Sequence, residues 1–380
     1  MKAKITFFLL LSSLLLISCK DNKPEVWAWI AGKTTMTDQE WDSYFSHAKE
    51  VGIDAILVEC HGGYPEVLAD SSDMEDKAAV LILENAAKAA KKYGIALHAW
   101  MWTTNRCEHS TRDAHPEWYQ VNRLGMNMTE FKMYNREHYR FLCPSHKEAI
   151  EYLKERVREI AAVDGLAGIH MDFIRYPDAM LPYGLHESRG VVQDKFYPMW
   201  DCCYCEECRA AFKKLTGTDP LELEDPATDP DWLAFRWKTM ANFASEIAAE
   251  IKACGKVSSA AVFASPEESR KLVRQDWTHF KNVDIFLPMI YNDAYGFPNE
   301  WIETATREGV AELDSLANPA ILRSGMAFGR NTTEEELTEC FRYALNGGSN
   351  GVCIFCLEPF QQSEGGWERL GQALHEVGLN

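Results

Sequence analysis

The chain has 380 residues, 46% of them hydrophobic, which is enough for one large core or two modest ones. Its formal net charge is −18 and no basic patch offsets the acidic field, so we expect neither nucleic acid nor an anionic membrane surface as a partner. A neutral ligand is compatible with this charge, and aromatic residues, at 12%, are plentiful enough to line a site for one.

The start of the chain has the pattern of a targeting segment. Lys2 and Lys4 give it a positive beginning, and residues 5–17 form an apolar run that is too short for a comfortable membrane span. The run ends in L-I-S-C, which resembles a bacterial lipobox, so Cys19 would carry the lipid and begin the mature protein. The alternative is an ordinary secretory signal that is cut nearby, and both interpretations export the protein.

The lipobox sets the predicted domain organisation. Residues 1–19 are the signal peptide with its lipobox cysteine, 20–25 are a short tether, and 26–380 form a single domain. We therefore expect a protein of the cell envelope that a lipid anchors to the outer membrane, with its domain on the periplasmic or the surface-exposed face. The sequence does not indicate an oligomeric state.

Strand and helix candidates alternate along the rest of the chain. The strand candidates are 26–32, 53–60, 95–102, the start of 165–178, 257–265, 283–291, 320–328 and 351–359. The helix candidates are 38–51, 76–93, 147–163, 232–254, 298–316, 333–346 and 367–377.

This alternation predicts an α/β protein built as a single (β/α)8 TIM barrel. Two long insertions, 103–144 and 179–229, follow strands three and four, on what would be the functional face. A doubly wound open sheet is the alternative fold. The absence of a G-x-G-x-x-G motif after strand one argues against it.

The fourth strand candidate has an unusual end. Residues 165–178 read G-L-A-G-I-H-M-D-F-I-R-Y-P-D, so an apolar run is followed abruptly by His170, Asp172, Arg175 and Tyr176. Ionisable groups at the end of a buried strand indicate a site, because chemistry in (β/α)8 barrels lies at the C-terminal ends of the strands. The alternative is an Asp–Arg pair that merely closes a loop.

Four stretches carry a resemblance to a known family. The block 141–178 includes D-G-L-A-G-I-H-M-D-F-I-R-Y-P, L-H-A-W stands at 97–100, H-P-E-W at 115–118, and V-D-I-F-L-P-M-I-Y at 283–291. Together they resemble the family-10-like glycosyl hydrolases, a barrel group distantly related to α-amylases and α-galactosidases. The resemblance implies hydrolysis of a glycan at a cleft on the C-terminal face of the barrel. Near the end of strand two, many of these relatives have a Gln and an Arg where this chain has Glu59 and Cys60.

Glycoside hydrolysis needs two carboxyl groups that face one bond, one as acid and the other as nucleophile or base. The related groups imply Asp172 as the nucleophile or base, and Arg175 would hold it ionised by charge pairing. The same relatives imply Asp293, just past strand six, as the first candidate for the general acid. Glu358 at strand eight is second, and Glu59 is third and could bind substrate hydroxyls instead. Loop capping or plain surface charge is the alternative for all three acids.

Other polar and aromatic side chains near the strand ends are candidates for substrate binding. Alternate residues on a strand share a face, and Trp102 at the end of its strand is a better sugar platform than Trp100, which we assign to the core. A histidine on a buried strand is often a satisfied core residue, and this alternative stays open for His170. The candidate substrate-binding residues are Glu59, His98, Trp102, His170, Arg175, Tyr176 and Tyr291.

The second insertion contains a cysteine cluster, C-C-Y-C-E-E-C at 202–208. Its C-x2-C spacing is typical of zinc sites, but an exported protein could form disulfides here instead. We expect a structural role, as disulfides or as a structural metal site at Cys202, Cys205 and Cys208. We expect no catalytic metal and no cofactor, and the other cysteines are interpreted as small buried hydrophobes.

Three functions remain in competition. The first is an exported glycoside hydrolase, which predicts Asp172 and a second carboxylate facing one cleft. The second is a glycan-binding lipoprotein that has lost catalysis, with an aromatic cleft, Asp172 tied up by Arg175 and no second carboxyl in range. The third is a structural lipoprotein whose cysteine-rich insertion mediates assembly, which predicts no open cleft.

Overall fold

The computed structural model describes residues 23–61 and 72–380. The predicted signal peptide 1–19, the lipidation site Cys19 and the first part of the tether lie outside the described residues. Within the described ranges, no helix combines the length and the apolar character that a membrane crossing requires.

The strands form one closed, entirely parallel sheet. Nine strand segments occur in the described residues: β1 Glu25–Ile30, β2 Ala55–His61, β3 Ala96–Trp102, β4 Leu166–Asp172, β5 Val257–Phe263, β6 Ile285–Met289, β7 Ile321–Leu322, β8 Ser324–Ala327 and β9 Gly351–Phe355.

Neighbouring strands pair in the order β5-β4-β3-β2-β1-β9-β8-β6-β7, and a further pairing of β5 with β6 closes the ring. Segments β7 and β8 both pair with β6 and are the two halves of the seventh strand, which is interrupted at Arg323. The eight strands with their intervening helices confirm the predicted (β/α)8 barrel.

Helices surround the barrel. They are α1 Asp38–Glu50, α2 Ser72–Tyr93, α3 His109–Ala114, α4 Lys147–Ala161, α5 His186–Arg189, α6 Glu206–Thr216, α7 Pro230–Ala253, α8 Pro266–Val273, α9 Asn292–Tyr295, α10 Trp301–Ser315, α11 Glu334–Asn346, α12 Glu358–Gln361 and α13 Gly366–Glu376. The longer ones, such as α4, α7, α10 and α11, bury apolar side chains. Helix α4 shows the pattern: Ile150, Leu153, Val157 and Ile160 are buried at intervals of three and four residues.

Side chains alternate between two apolar cores along each strand, as the period of two requires. On β2, Ile56 and Val58 belong to the layer between barrel and helices, whereas Ala55 and Leu57 belong to the barrel interior. Glu59, two residues after Leu57, faces the barrel interior in the same way and lies near the C-terminal end of the strand. The strand therefore delivers a carboxyl group to the inside of the barrel mouth.

The two long insertions cover this mouth together. The ring of Tyr134 in the first insertion stacks on Trp200 in the second, with 5.0 Å between centroids. The side-chain amide of Asn122 donates to the carbonyl of Met199 at 2.9 Å, and Tyr204 N donates to Val121 O at 2.8 Å. The insertions thus form one connected cap, as their predicted positions after strands three and four allow.

Candidate active site

A cavity of about 360 Å³ opens at the C-terminal ends of the strands, beneath the insertions. Its wall is rich in aromatic side chains, and most of the polar side chains that reach it are ionisable. The lining residues used below are Trp29, Glu59, Trp100, Trp102, Tyr139, Asp172, Phe173, Arg175, Asp178, Tyr291 and Phe355.

A second cavity of about 390 Å³ adjoins the first. The two share Glu59, Trp100 and Phe355, so these side chains stand where one cavity meets the other. The second cavity also contains Glu358 and Tyr44. Together the two spaces can hold a ligand longer than either alone, with Glu59 at the junction.

Asp172 ends β4 and faces the first cavity. Trp100 Nε1 donates to its Oδ2 at 3.0 Å, and the backbone N–H of Phe173 donates to its Oδ1 at 2.6 Å. Phe173 reaches this position with a φ of 49°, a left-handed conformation that bulky residues rarely adopt. Such strain is typical of functional sites, and here it accompanies the N–H bond to the carboxylate.

Opposing effects act on the Asp172 carboxyl group. Burial raises the pKa of Asp172 above its ordinary value, and the Phe173 N–H, the Arg175 charge and the Trp100 hydrogen bond offset part of that rise. Both of its oxygens already accept hydrogen bonds from N–H donors, which favour the ionised form. The two donors thus limit the rise in the pKa of Asp172 and give its ionised form partners in a mostly apolar wall.

Glu59 is the second carboxyl group of the first cavity, and its surroundings differ from those of Asp172. Only 3% of the residue is exposed, and its Oε1 has no hydrogen-bond partner among the described residues. Burial, together with the negative charges of Asp172 and Glu358, raises the pKa of Glu59 to about 8, against a smaller opposing effect of Trp102. At neutral pH Glu59 therefore carries a proton while facing the same space as Asp172.

Strand pairing explains how these groups meet. Across β2 and β3, Glu59 pairs with Trp100, and across β3 and β4, Trp102 pairs with Asp172. The two carboxyl groups therefore flank the two tryptophans of β3, all on the interior face. Trp100 belongs to the apolar interior of the barrel, as expected, and it also lines both cavities and donates to Asp172.

Arg175 lines the first cavity, and its charge lowers the pKa of Asp172 as expected, but its direct ion pair is with Asp178. Its Nη1 lies 3.0 Å from Asp178 Oδ2, in an ion pair that is almost completely buried. The guanidinium also lies about 5 Å from the rings of Phe173 and Phe263. Because the ion pair is with Asp178, no salt bridge occupies the oxygens of Asp172.

The prediction of Asp293 as the first candidate for the general acid is wrong, because this side chain does not reach the site. It lies exposed on the short helix α9 and lines neither cavity, although its neighbours Ala294 and Tyr295 do reach the first one. Asp293 misses the cavity because α9 turns its side chain outward. Glu358 does reach the second cavity, where its Oε1 accepts from Ala31 N at 2.9 Å.

The predictions that His98 and His170 bind substrate are also corrected, since neither ring lines either of these two cavities. His98 is buried deeper in the barrel, 4.4 Å from the Trp27 ring, and burial lowers its pKa to about 3. His170 lies one layer below Asp172, with Nδ1 3.0 Å from Ser259 Oγ, and burial again lowers its pKa strongly. Both are neutral core histidines, which was the open alternative for His170.

Of the aromatic candidates, Trp102 and Tyr291 do line the first cavity, and the Tyr291 ring stacks on Phe355 at 5.4 Å. Tyr176 does not, because the backbone after Asp172 directs it to the other side of β4. There it lies within electrostatic reach of Cys143, Cys203 and Cys208.

The predicted metal triple is corrected as well. The sulfurs that converge belong to Cys143, Cys203, Cys205 and Cys208, and Cys202 is not among them. No disulfide joins these four cysteines, which all lie within the described residues.

Several lining residues escaped the sequence analysis. Tyr139 and Phe355 come from an insertion and from the last strand, where no motif marks them. Trp29 did carry a signal, because V-W-A-W-I on the first strand places two tryptophans on one face. That pattern indicates only that the two tryptophans share one face of the strand. It does not show which of them lies in the barrel core and which lines the cavity.

The comparisons with known proteins bear on the fold. No protein-family profile and no curated protein matches the sequence. Among solved structures, the PgaB (BpsB) glycoside hydrolase domain from Bordetella bronchiseptica superposes with a TM-score of 0.65 at 13% identity, over 93% of this chain and 98% of that one. The catalytic domain of the β-amylase from Paenibacillus polymyxa gives 0.62 at 12% identity, over 94% and 99%.

An endo-β-1,4-mannanase from Thermotoga petrophila is similar at a TM-score of 0.53 and 11% identity, over 89% of this chain and 68% of that one. At these identities the likeness establishes the barrel fold, which this chain has in common with glycoside hydrolases. The particular family indicated by the sequence motifs stays a prediction.

Proposed function

We propose that the chain is a glycoside hydrolase acting on a glycan or oligosaccharide, with Asp172 as nucleophile or base and Glu59 as general acid. One observation carries the proposal: a hydrogen-bonded carboxylate and a protonated, buried carboxyl group face the same aromatic-walled cavity. Two carboxyl groups with contrasting protonation are the requirement of glycoside hydrolysis.

Each group is suited to its role. Glu59 carries a proton at neutral pH and can give it to the glycosidic oxygen as the bond to the anomeric carbon breaks. Asp172, with both oxygens held by N–H donors, can attack that carbon or take a proton from an attacking water. The negative charge of Asp172 itself helps to keep the proton on Glu59.

The shape of the site supports a glycan as the ligand. The acid must stand beside the bond that joins two sugar units, and Glu59 lies where the two cavities adjoin. Trp102, Tyr291 and Phe355 offer aromatic faces on which sugar rings can stack. Glu358, in the second cavity, is then a candidate for binding hydroxyl groups rather than for proton transfer.

The two competing functions fit less well. A binding protein without catalysis predicts Asp172 tied up by Arg175 and no second carboxyl in range, but Arg175 pairs with Asp178 and Glu59 shares the cavity. A purely structural lipoprotein predicts no open cleft, and two adjoining cavities are present.

The test is product release from a broad glycan panel, read by mass spectrometry. The wild type is expected to cleave one class of glycan. Asp172→Asn and Glu59→Gln are each expected to lose about 10²–10⁴-fold in kcat, the range for a positioned acid or base. Asp293→Asn is the matched control and should cleave like the wild type, because that side chain is exposed outside both cavities.

Two outcomes contradict the proposal. Full cleavage by both Asp172→Asn and Glu59→Gln would show that other groups perform the chemistry. If the wild type releases no product but binds the same glycan as both variants, the binding-protein function replaces the hydrolase.

A further inference from the structure

Within the cap formed by the two insertions, four cysteine side chains meet in a buried cluster. Cys143 ends the first insertion, while Cys203, Cys205 and Cys208 belong to the second. All four sulfurs lie within 4.8 Å of one another, and Cys143 Sγ is 3.4 Å from Cys205 Sγ and 3.5 Å from Cys208 Sγ. We propose that this cluster is a structural Zn²⁺ site of the Cys₄ type, which joins the two insertions. The proposal is independent of the glycoside hydrolase function.

The sulfur spacing fits a tetrahedral zinc ion. Four thiolates at about 2.3 Å from zinc stand roughly 3.8 Å apart, close to the observed separations. A disulfide requires sulfurs about 2.05 Å apart and joins them in exclusive pairs. Here Cys143 is nearly equidistant from two partners, so the arrangement is one group of four rather than two pairs.

The sequence spacing supports the same ligands. Cys205 and Cys208 form the C-x2-C element that is typical of zinc sites. Cys203 lies two residues before Cys205, and Cys143 comes from a distant part of the chain. Ordinary packing does not require this convergence. Cys340 and Cys353 are also buried, yet neither belongs to a potential metal-binding group among the described residues.

The surroundings favour a negatively charged Zn(Cys)₄ centre. Cys205 is the N-cap residue of α6 and Cys208 lies in its first turn, so the positive end of the helix dipole faces the cluster. Ser145 N donates to Cys143 Sγ at 3.4 Å, and Ser145 Oγ lies 3.3 Å from Cys208 Sγ. Such outer contacts orient thiolate ligands and offset their charge.

The position of the site indicates its purpose. Cys143 follows Tyr139 by four residues, and Tyr139 lines the first cavity. Tyr176, one residue beyond the cavity-lining Arg175, lies beside the same cysteines. A metal ion here joins the two insertions beside Tyr176, and so fixes one wall of the cavity without touching its contents.

The test measures metal content and metal environment in the full chain. Protein purified without chelator should contain about one zinc per chain by inductively coupled plasma mass spectrometry, and X-ray absorption should show four sulfur ligands near 2.3 Å. Cys143→Ser and Cys205→Ser should each reduce zinc at least about fivefold, because structural sites need all four ligands. Cys202→Ser is the matched control: it is buried and adjacent in sequence but outside the cluster, and should keep the metal.

Contrary results are well defined. Protein that holds no zinc and takes up none from added ZnCl₂ after reduction would overturn the proposal. So would disulfides linking Cys143, Cys203, Cys205 or Cys208 in the purified protein, detected by peptide mass spectrometry without reduction. If the variants do not fold, X-ray absorption of the wild type alone decides, since fewer than three sulfur ligands would exclude the site.

Discussion

At the scale of single residues, the two carboxyl groups of the cavity differ because their neighbours differ. Asp172 has two N–H donors, from Trp100 and Phe173, whereas Glu59 Oε1 has no partner among the described residues. Hydrogen bonds to an ionised carboxylate lower its pKa, and burial beside a negative charge raises it. Burial raises the pKa of both groups, but the two donors and Arg175 oppose the rise at Asp172, whereas two negative charges add to it at Glu59 and only Trp102 opposes it. The two carboxyl groups therefore differ through their local contacts rather than through residue type.

The raised pKa of Glu59 has a consequence for stability. In the unfolded chain the pKa of Glu59 is near 4.5. Below that pH, Glu59 is protonated in both the native and the unfolded state, so its titration does not affect the free energy of unfolding. Between that pH and about 8, only the unfolded state releases the proton, so the stability of the native protein falls as the pH rises. Glu59→Gln is always neutral, so we expect it to be more stable than the wild type at pH 7, by up to roughly 3 kcal/mol at about 1.36 kcal/mol per pH unit.

The measurement is urea unfolding of wild type and Glu59→Gln at pH 4, 6 and 8. The stability difference should be near zero or slightly negative at pH 4 and should grow in favour of the variant toward pH 8. A difference that does not depend on pH would contradict the raised pKa. In activity assays, the wild type should lose turnover as the pH rises through about 8, because the acid loses its proton.

At the scale of elements, the first and last strands of the chain pair with each other, β1 with β9. Gly351 pairs with Glu25 in that ladder and has a φ of 114°, where L side chains are strained. A Cβ on Gly351 would lie 2.0 Å from Glu25 O, a backbone atom that cannot move without shifting the strand. This pair of strands therefore depends on a glycine at this position.

We expect Gly351→Ala to destabilise the protein by at least about 3 kcal/mol, since strain and overpacking act together. Gly125→Ala is the matched control: Gly125 also has a positive φ, of 83°, but no atom lies within 4 Å of its would-be Cβ. That variant should lose only about 1 kcal/mol. Thermal unfolding of the two variants checks this, and equal losses would contradict the clash at the β1–β9 seam.

At the scale of the whole molecule, periodicity was sufficient to predict the barrel. Buried strands and amphipathic helices such as α4 leave a local pattern, and their alternation restricts the topology. The seventh strand was predicted as continuous over 320–328, and its interruption at Arg323 left no signal. Helix α8 was missed because it is only eight residues long.

The site was harder to predict than the fold. Strand-end residues such as Asp172 and Trp102 reach the cavity because the C-terminal ends of parallel strands converge. The prediction for Asp293 was wrong because the short helix α9 after β6 sets the direction of its side chain. A helix of four residues leaves no periodic pattern in the sequence. The cysteine cluster was placed in the correct segment, but Cys143 arrives from 60 residues earlier in the chain, a contact that only tertiary structure reveals.

Attachment of the whole molecule to a membrane is a prediction that rests on the first residues alone. The L-I-S-C motif after an apolar run predicts that a lipid is joined to Cys19. Such a lipid would hold the domain at a membrane face. With its predicted tether of 20–25, the barrel would stay close to the membrane surface, with glycans of the cell envelope or its surroundings as available substrates.

We expect the wild-type chain to incorporate an alkyne-labelled fatty acid in a bacterial host and to sediment with the membrane fraction. Cys19→Ala should lose the label and leave the membrane pellet, because the modified sulfur is gone. Cys254→Ala is the control, since Cys254 lies in the barrel domain at the end of α7 and should not affect labelling. Label that persists in Cys19→Ala would contradict lipidation at this site. An unlabelled wild type released in cleaved form would instead indicate an ordinary secretory signal.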